Sequence, residues 1–193
     1  TDGSLLYVTS LDHYFHVIDP VEGVMNESVD LGGAAPSSPV VGSDGVYAGS
    51  FASTIEFINS NGEHEVIAAT ESWIWGSPLL DSETLYYADL SGKVFSLDLA
   101  SGNQNWDVVQ PDGPVVANLL IVGDQIYVAT EAGTLVALDR EGKTVWEKTV
   151  GGKLYTTPVI SGDLILVAPY QAEFVLAAYD AEGKQAWTFT PEK

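Results

Sequence analysis

Residues 91–106 read SGKVFSLDLASGNQNW. A Ser-Gly turn opens the stretch, an apolar run follows at Val94, Phe95 and Leu97, and then come Asp98, Gly102 and Trp106. The same order recurs along the chain. Asp98 has counterparts at Asp19, Asn59, Asp139 and Asp180, and Gly102 at Gly23, Gly62, Gly142 and Gly183. Four residues beyond each glycine stand Glu27, Val66, Trp106, Trp146 and Trp187. Upstream, LYVTS at Leu6 returns as VYAGS at Val46, LYYAD at Leu85, IYVAT at Ile126 and ILVAP at Ile165. The second residues of these runs, Tyr7, Tyr47, Tyr86, Tyr127 and Leu166, are spaced 40, 39, 41 and 39 apart. Most units are entered through a Ser/Thr-Pro pair, Ser38-Pro39, Ser77-Pro78 and Thr157-Pro158, with Ala117-Asn118 read as its replacement in one unit. Several columns holding one period mark a repeat architecture.

Within each unit the apolar runs are four to six residues long, rich in Val, Ile, Leu, Tyr and Phe, and bounded by Gly, Asp, Ser and Pro. These are signals for short strands and tight turns. No window carries a useful amphipathic helical period. Four short strands per unit of about 40 residues is the arithmetic of a β-propeller blade, whose faces are buried only against its neighbours. The expected fold is therefore all-β: a propeller of five blades, four complete and four-stranded and one three-stranded. It would form a single domain over 1–193, with units at about 1–34, 35–73, 74–112, 113–152 and 153–193. With strands A to D numbered outward from the axis, the chain starts at strand B and ends after strand D. Two arrangements stay open: a five-bladed ring that closes imperfectly, or a segment of a larger propeller with two uncovered blade faces.

Composition narrows the function classes. The 193 residues include 27 acidic and 7 basic ones, a formal net charge of −20, and the first 92 residues carry 14 carboxylates and no Lys or Arg. Such a surface repels phosphate backbones and anionic headgroups, so no nucleic-acid partner is expected. It attracts cations or basic proteins, or it simply keeps the molecule soluble. Cysteine is absent, which removes disulfides, thiolate metal sites and a Cys nucleophile. No apolar run is long enough to form a membrane-spanning helix. No basic-plus-apolar leader stands at the first residue, so export would rest on a signal outside this chain.

The units SPVVGSDGVYAGS and SGKVFSLDLASGNQNW resemble the PQQ-like repeat. That family includes quinoprotein alcohol dehydrogenases and an outer-membrane β-barrel assembly lipoprotein. Its tryptophan-docking pattern, Ala-x-Asp-x-x-x-Gly-x-x-x-Trp, is matched by Ser96, Asp98, Gly102 and Trp106. One residue shorter, it is matched by Ala137, Asp139, Gly142 and Trp146, and by Ala178, Asp180, Gly183 and Trp187. The resemblance implies a propeller whose docking tryptophans fill the gaps between blades. It implies no single function, because the repeat serves enzymes and scaffolds alike.

Catalytic sets are hard to find. The dehydrogenase branch implies pyrroloquinoline quinone with calcium and usually a vicinal Cys pair, and no matching constellation is legible here. The histidines are His13, His16 and His64. His13 and His16, three apart at the start of a strand, should point to opposite faces and hold no metal between them. What remains is the propeller mouth, where the D–A crossovers and B–C turns emerge. There Trp75 corresponds to Pro36, Val115 and Tyr155 in the other units, with Trp73 two residues ahead. The B–C turns place Asp12, His13 and Tyr14, then Phe51, then Tyr170, where an Asp-Gly turn is usual. Eight of these side chains, Trp73, Trp75, Tyr155, Asp12, His13, Tyr14, Phe51 and Tyr170, are the candidate ligand-binding residues. As a platform they would stack on a sugar or grip a peptide. As a plug they would fill the channel or pack against the next blade. The expected function is a non-catalytic exported scaffold, periplasmic or at the cell surface, that needs no cofactor and binds a protein or peptide, with carbohydrate or self-association as further options. A dehydrogenase fragment, a lectin-like propeller and a sensor domain are the alternatives.

Overall fold

The structure, a computed structural model, describes Thr1 and residues 3–192. Its strands form five antiparallel sheets, each built from neighbours in sequence. Blade 1 holds β1 (Leu6–Thr9), β2 (Tyr14–Asp19) and β3 (Val24–Asp30). Blade 2 holds β4 (Val40–Val41), β5 (Val46–Gly49), β6 (Thr54–Ile58) and β7 (His64–Ala69). Blade 3 holds β8 (Leu79–Asp81), β9 (Thr84–Ala88) and β10 (Val94–Asp98). Blade 4 runs β11 (Leu120–Val122), β12 (Gln125–Ala129), β13 (Thr134–Leu138) and β14 (Thr144–Thr149). Blade 5 runs β15 (Val159–Ser161), β16 (Leu164–Val167), β17 (Leu176–Tyr179) and β18 (Gln185–Phe189).

The turns between strands C and D follow the repeated columns. The side chains of Asp19, Asn59, Asp139 and Asp180 each accept backbone N–H groups two to four residues on. Each turn then closes on a glycine with φ between 68° and 78°. Two of these glycines also permit close approach. A Cβ on Gly142 would lie 2.6 Å from the Trp106 ring, and one on Gly183 would lie 2.6 Å from the Trp146 ring. The docking tryptophan of one blade is thus laid on the glycine turn of the next. The indole N–H of Trp146 completes the contact by donating to the Ala181 carbonyl at 2.8 Å.

The outer strand of blade 3 is irregular. It meets β10 through bridges at Val94–Val109 and Leu97–Gln104 rather than a full ladder. The residues there are Asn103, Gln104, Asn105 and Asp107, types that strands disfavour because their side chains compete for hydrogen bonds. Asn105 donates to the Ser96 hydroxyl at 3.0 Å and Gln104 to the Tyr87 hydroxyl at 3.3 Å.

Four apolar clusters sit between blades. Phe15 and Val17 of blade 1 meet Val46 and Ile58 of blade 2. Tyr47 and Ile55 of blade 2 meet Leu85 and Leu97 of blade 3. Tyr86 and Val94 meet Ile126 and Leu138 between blades 3 and 4, and Tyr127 and Leu135 meet Ile165 and Tyr179 between blades 4 and 5. Each fully buried side chain of this size contributes about 1.5–3 kcal/mol. Among the described residues no such cluster joins blade 5 to blade 1. Trp187, whose counterparts dock on the next blade, is 40% exposed. The five blades form an open arc.

Candidate binding site at the channel mouth

The mouth is organised by hydrogen bonds between each crossover and the B–C turns on either side of it. The N–H groups of Ala35, Ile74, Val115 and Leu154 donate to the carbonyls of Ser10, Ser50, Asp89 and Thr130 in the blade before. The preceding carbonyls, those of Ala34, Trp73, Pro114 and Lys153, accept from Phe51, Leu90, Glu131 and Tyr170 in the blade being entered. Clipped on both sides, each crossover turns one side chain inward. Ala35, Ile74, Val115 and Leu154 are all buried. Their neighbours must point the other way. Trp73 and Trp75 are accordingly 51% and 45% exposed, while Ile74 between them is 0% exposed.

This register corrects two alignments drawn from the sequence. The residue equivalent to Trp75 in the fourth unit is Val116, since Val115 occupies the buried column of Ile74. Likewise Asn118, not Ala117, stands in the column of Ser38, Ser77 and Thr157. Asn118 links that column around the axis: its side-chain oxygen accepts from the Ser77 N–H at 2.8 Å, and its own N–H donates to the Thr157 hydroxyl at 3.2 Å.

The B–C turns also differ from the sequence expectation. The position held by Gly92 and Gly133, with φ of 88° and 90°, is held by His13 and Ser53 with φ of 81° and 64°, while in the longer turn of blade 5 Gln171 takes φ of 59°. His13 therefore does replace a turn glycine. Phe51 stands two residues before that position, and Tyr170 shares the column of Phe51, Leu90 and Glu131 through the same bond to the crossover, so neither is the glycine replacement.

The candidate residues sort into three groups. Phe51, Trp73 and Trp75 form one cluster. The Phe51 ring stacks on Trp73 at 4.6 Å and 13° and leans on Trp75 at 5.3 Å and 34°. Tyr155 and Tyr170 form a second, with ring centroids 6.0 Å apart. Lys153 lies 5.8 Å over the Tyr155 ring and 2.6 Å from Glu131, which also accepts from the Tyr155 hydroxyl at 3.1 Å. Hydrogen bonds from Lys153 and Tyr155 hold the Glu131 carboxyl below its ordinary range, and Glu131 in turn raises Lys153. Glu71 is lowered in the same way by Lys93. Two of the seven basic residues thus neutralise carboxylates at this rim.

Asp12, His13 and Tyr14 form the third group, apart from the aromatics. Asp12 accepts the Tyr14 N–H at 3.0 Å, a bond that closes its own turn and is the main cause of its lowered pKa. Tyr14 begins β2 and stacks along it on His16 at 6.1 Å. His16 bonds Ser28 and lies 3.5 Å from Asp12. Among the described residues no three His, Asp or Glu side chains converge to hold a metal ion.

Between the two aromatic clusters lies a hollow of about 450 Å³, lined by Trp75 and Tyr155 and by Ser38, Ser77, Asn118 and Thr157. Sequence reasoning read those serines and threonines only as strand-entry signals. Their shared spacing from the following strand was the clue that they also meet around one axis.

A five-bladed arc with docking tryptophans and an aromatic, hydroxyl-lined mouth defines a PQQ-like repeat propeller. The family model described as Outer membrane protein assembly factor BamB matches residues 3–108 and 112–193, and the chain belongs to that family. It is 26% identical over 113 residues to the assembly factor BamB of Burkholderia pseudomallei, an alignment covering 58% of this chain and 29% of that protein. It is 31% identical over 134 residues to the quinohemoprotein alcohol dehydrogenase ADH IIB of Pseudomonas putida, covering 58% of this chain and 19% of the enzyme. The crystal structure of BamB from Moraxella catarrhalis superposes with a TM-score of 0.82 at 16% identity, over 96% of this chain and 61% of that one. The chain therefore spans less than a third of these curated relatives and under two thirds of the solved structure.

Proposed function

We propose that this chain is the non-catalytic binding scaffold of an outer-membrane protein assembly factor, acting in the periplasm or at the cell surface. The rim cluster of Phe51, Trp73 and Trp75 is the surface on which a protein segment docks. One observation carries this reading: two tryptophans are held outward by the clip at Ile74, one stacked on and one tilted against a shared Phe51 ring, instead of being folded into a blade interface. Pre-ordered, partly exposed aromatics are the side chains on which protein interfaces concentrate their energy. The relatives named as assembly factors support the class of partner. The axial cavity supports the non-catalytic part, because no charged group lines it. Calcium takes carboxylate oxygens, and an anionic quinone takes cations.

Fluorescence anisotropy with labelled peptides copied from the strands of an outer-membrane β-barrel protein tests the platform. Phe51→Ala and Trp73→Ala are each expected to weaken binding about 30-fold, the size of a hot-spot truncation. Wild-type protein that binds none of the peptides, or variants that bind as the wild type does, would overturn it. Alcohol oxidation by the purified protein with added quinone and calcium would overturn the non-catalytic assignment.

A further inference from the structure

We infer that the hollow beside the rim is a second site, for a neutral sugar, which shares Trp75 with the platform that takes a protein segment but not Phe51 or Trp73. The first observation is charge. The chain carries a net −20, yet none of the residues around this cavity is charged. The other four described cavities each include at least one carboxylate: Asp44 and Glu65 in one, Asp81 and Glu141 in the next, Glu173 in the third, and Asp44 with Glu83 in the last. A cationic or anionic ligand finds no partner in a neutral wall and would lose its hydration on entry.

The second observation is the kind of neutral surface. Trp75 and Tyr155 supply aromatic rings, and Ser77, Asn118, Thr156 and Thr157 supply hydroxyl and amide groups. A purely apolar ligand would leave those polar groups unpaired, at a cost of about 1–3 kcal/mol for each one desolvated. A pyranose matches both halves: its C–H face covers an aromatic ring, and its hydroxyls meet donors and acceptors at the edge. The hollow is wide and open to solvent, and its volume of about 450 Å³ falls within the range of small-ligand sites.

The third observation is preorganisation. Trp75 is held by the crossover clip and by the Phe51 ring at 5.3 Å. Tyr155 is held by its hydrogen bond to Glu131 at 3.1 Å and by Lys153 over its face. Asn118 is tied to the Ser77 and Thr157 columns on either side. Rings fixed before the ligand arrives lose little freedom on binding.

Titration calorimetry of the purified chain with glucose, maltose, cellobiose and N,N′-diacetylchitobiose, with glucuronate as the charged control, tests the site. At least one neutral sugar is expected to bind and glucuronate to bind more weakly. Trp75→Ala is expected to weaken the sugar about 30-fold and Tyr155→Ala about 10-fold, with Trp75→Phe restoring part of the loss. Trp73→Ala, which removes a ring that does not line the cavity, is expected to change sugar affinity less than twofold while weakening the peptide. Circular dichroism of each variant establishes that it is folded. Silence toward every neutral sugar, equal binding of glucuronate, or full sugar affinity in both Trp75→Ala and Tyr155→Ala would overturn the inference, whatever the peptide result. Displacement of a bound sugar by an uncharged peptide that itself needs Trp75 and Tyr155 would assign the cavity to the protein partner instead and would equally overturn it.

Discussion

His13, Ser53 and Gln171 adopt the left-handed backbone that Gly92 and Gly133 adopt in the sister turns. A side chain with a Cβ pays about 1–2 kcal/mol for that conformation, and glycine returns about 0.5–1 kcal/mol of this through its freer unfolded chain. Ser53→Gly and Gln171→Gly should therefore each raise the unfolding free energy by about 0.5–1 kcal/mol in urea titrations. A loss of stability would mean that the side chains make contacts strong enough to outweigh the strain. The same residues explain what could be read from the sequence at this scale. Asp98 and Gly102 announce their turn because their chemistry is local: a carboxylate accepts nearby N–H groups and a glycine takes positive φ. The register of Phe51 was hidden because Ser53, a residue that does not advertise positive φ, fills the glycine position. The outward direction of Trp73 and Trp75 was hidden for another reason. It depends on carbonyls of Ser50 and an N–H of Leu90, groups in two different blades that no local pattern reveals.

The docking tryptophans show how one element can repeat in sequence and differ in energy. Trp146 is 9% exposed, lies on Gly183 and donates to Ala181. Trp106 lies on Gly142 in the same way, but its buried indole N–H has no partner. Its own strand is the irregular edge of blade 3, so its backbone is held less firmly than that of β14. Trp187 has no blade to lie on among the described residues. Truncation to alanine should follow this order. Trp146→Ala is expected to cost about 3–5 kcal/mol, as for other buried aromatics. Trp106→Ala should cost less, because it also removes an unsatisfied donor. Trp187→Ala should fall within about 1 kcal/mol of the wild type. Chemical denaturation of the three variants checks the ranking. A Trp187→Ala loss as large as that of Trp146→Ala would show that blade 5 is covered after all. The repeat columns made all three positions legible as one device, and only the packing of whole blades separates them.

At the scale of the molecule, the open arc sets an apolar surface against a strong net charge. In blade 4 the cross-strand row Leu120, Tyr127, Ala137 and Trp146 is sealed by blade 5. The matching row in blade 5 is Val159, Leu166, Ala178 and Trp187, with Leu176 and Phe189 beside it. Here Val159, Trp187 and Phe189 are exposed. Blade 1 presents Leu6 and Met25 at the opposite end of the arc, also exposed. An uncovered row of this kind invites pairing with another apolar blade face. Against it stands the formal charge of −20 on every copy, which repels at long range. Salt decides between them, since screening shortens the range of repulsion to about 3 Å at 1 M and leaves apolar burial intact. Sedimentation velocity on this chain should show a monomer at low ionic strength and association as salt rises. Acid should act in the same direction as it protonates carboxylates. Trp187→Glu with Phe189→Glu should abolish the association at every salt concentration, while Trp73→Ala should leave it unchanged. Association that survives the double substitution would place the contact elsewhere, and a chain that stays monomeric in high salt would show that the blade 5 face is not adhesive.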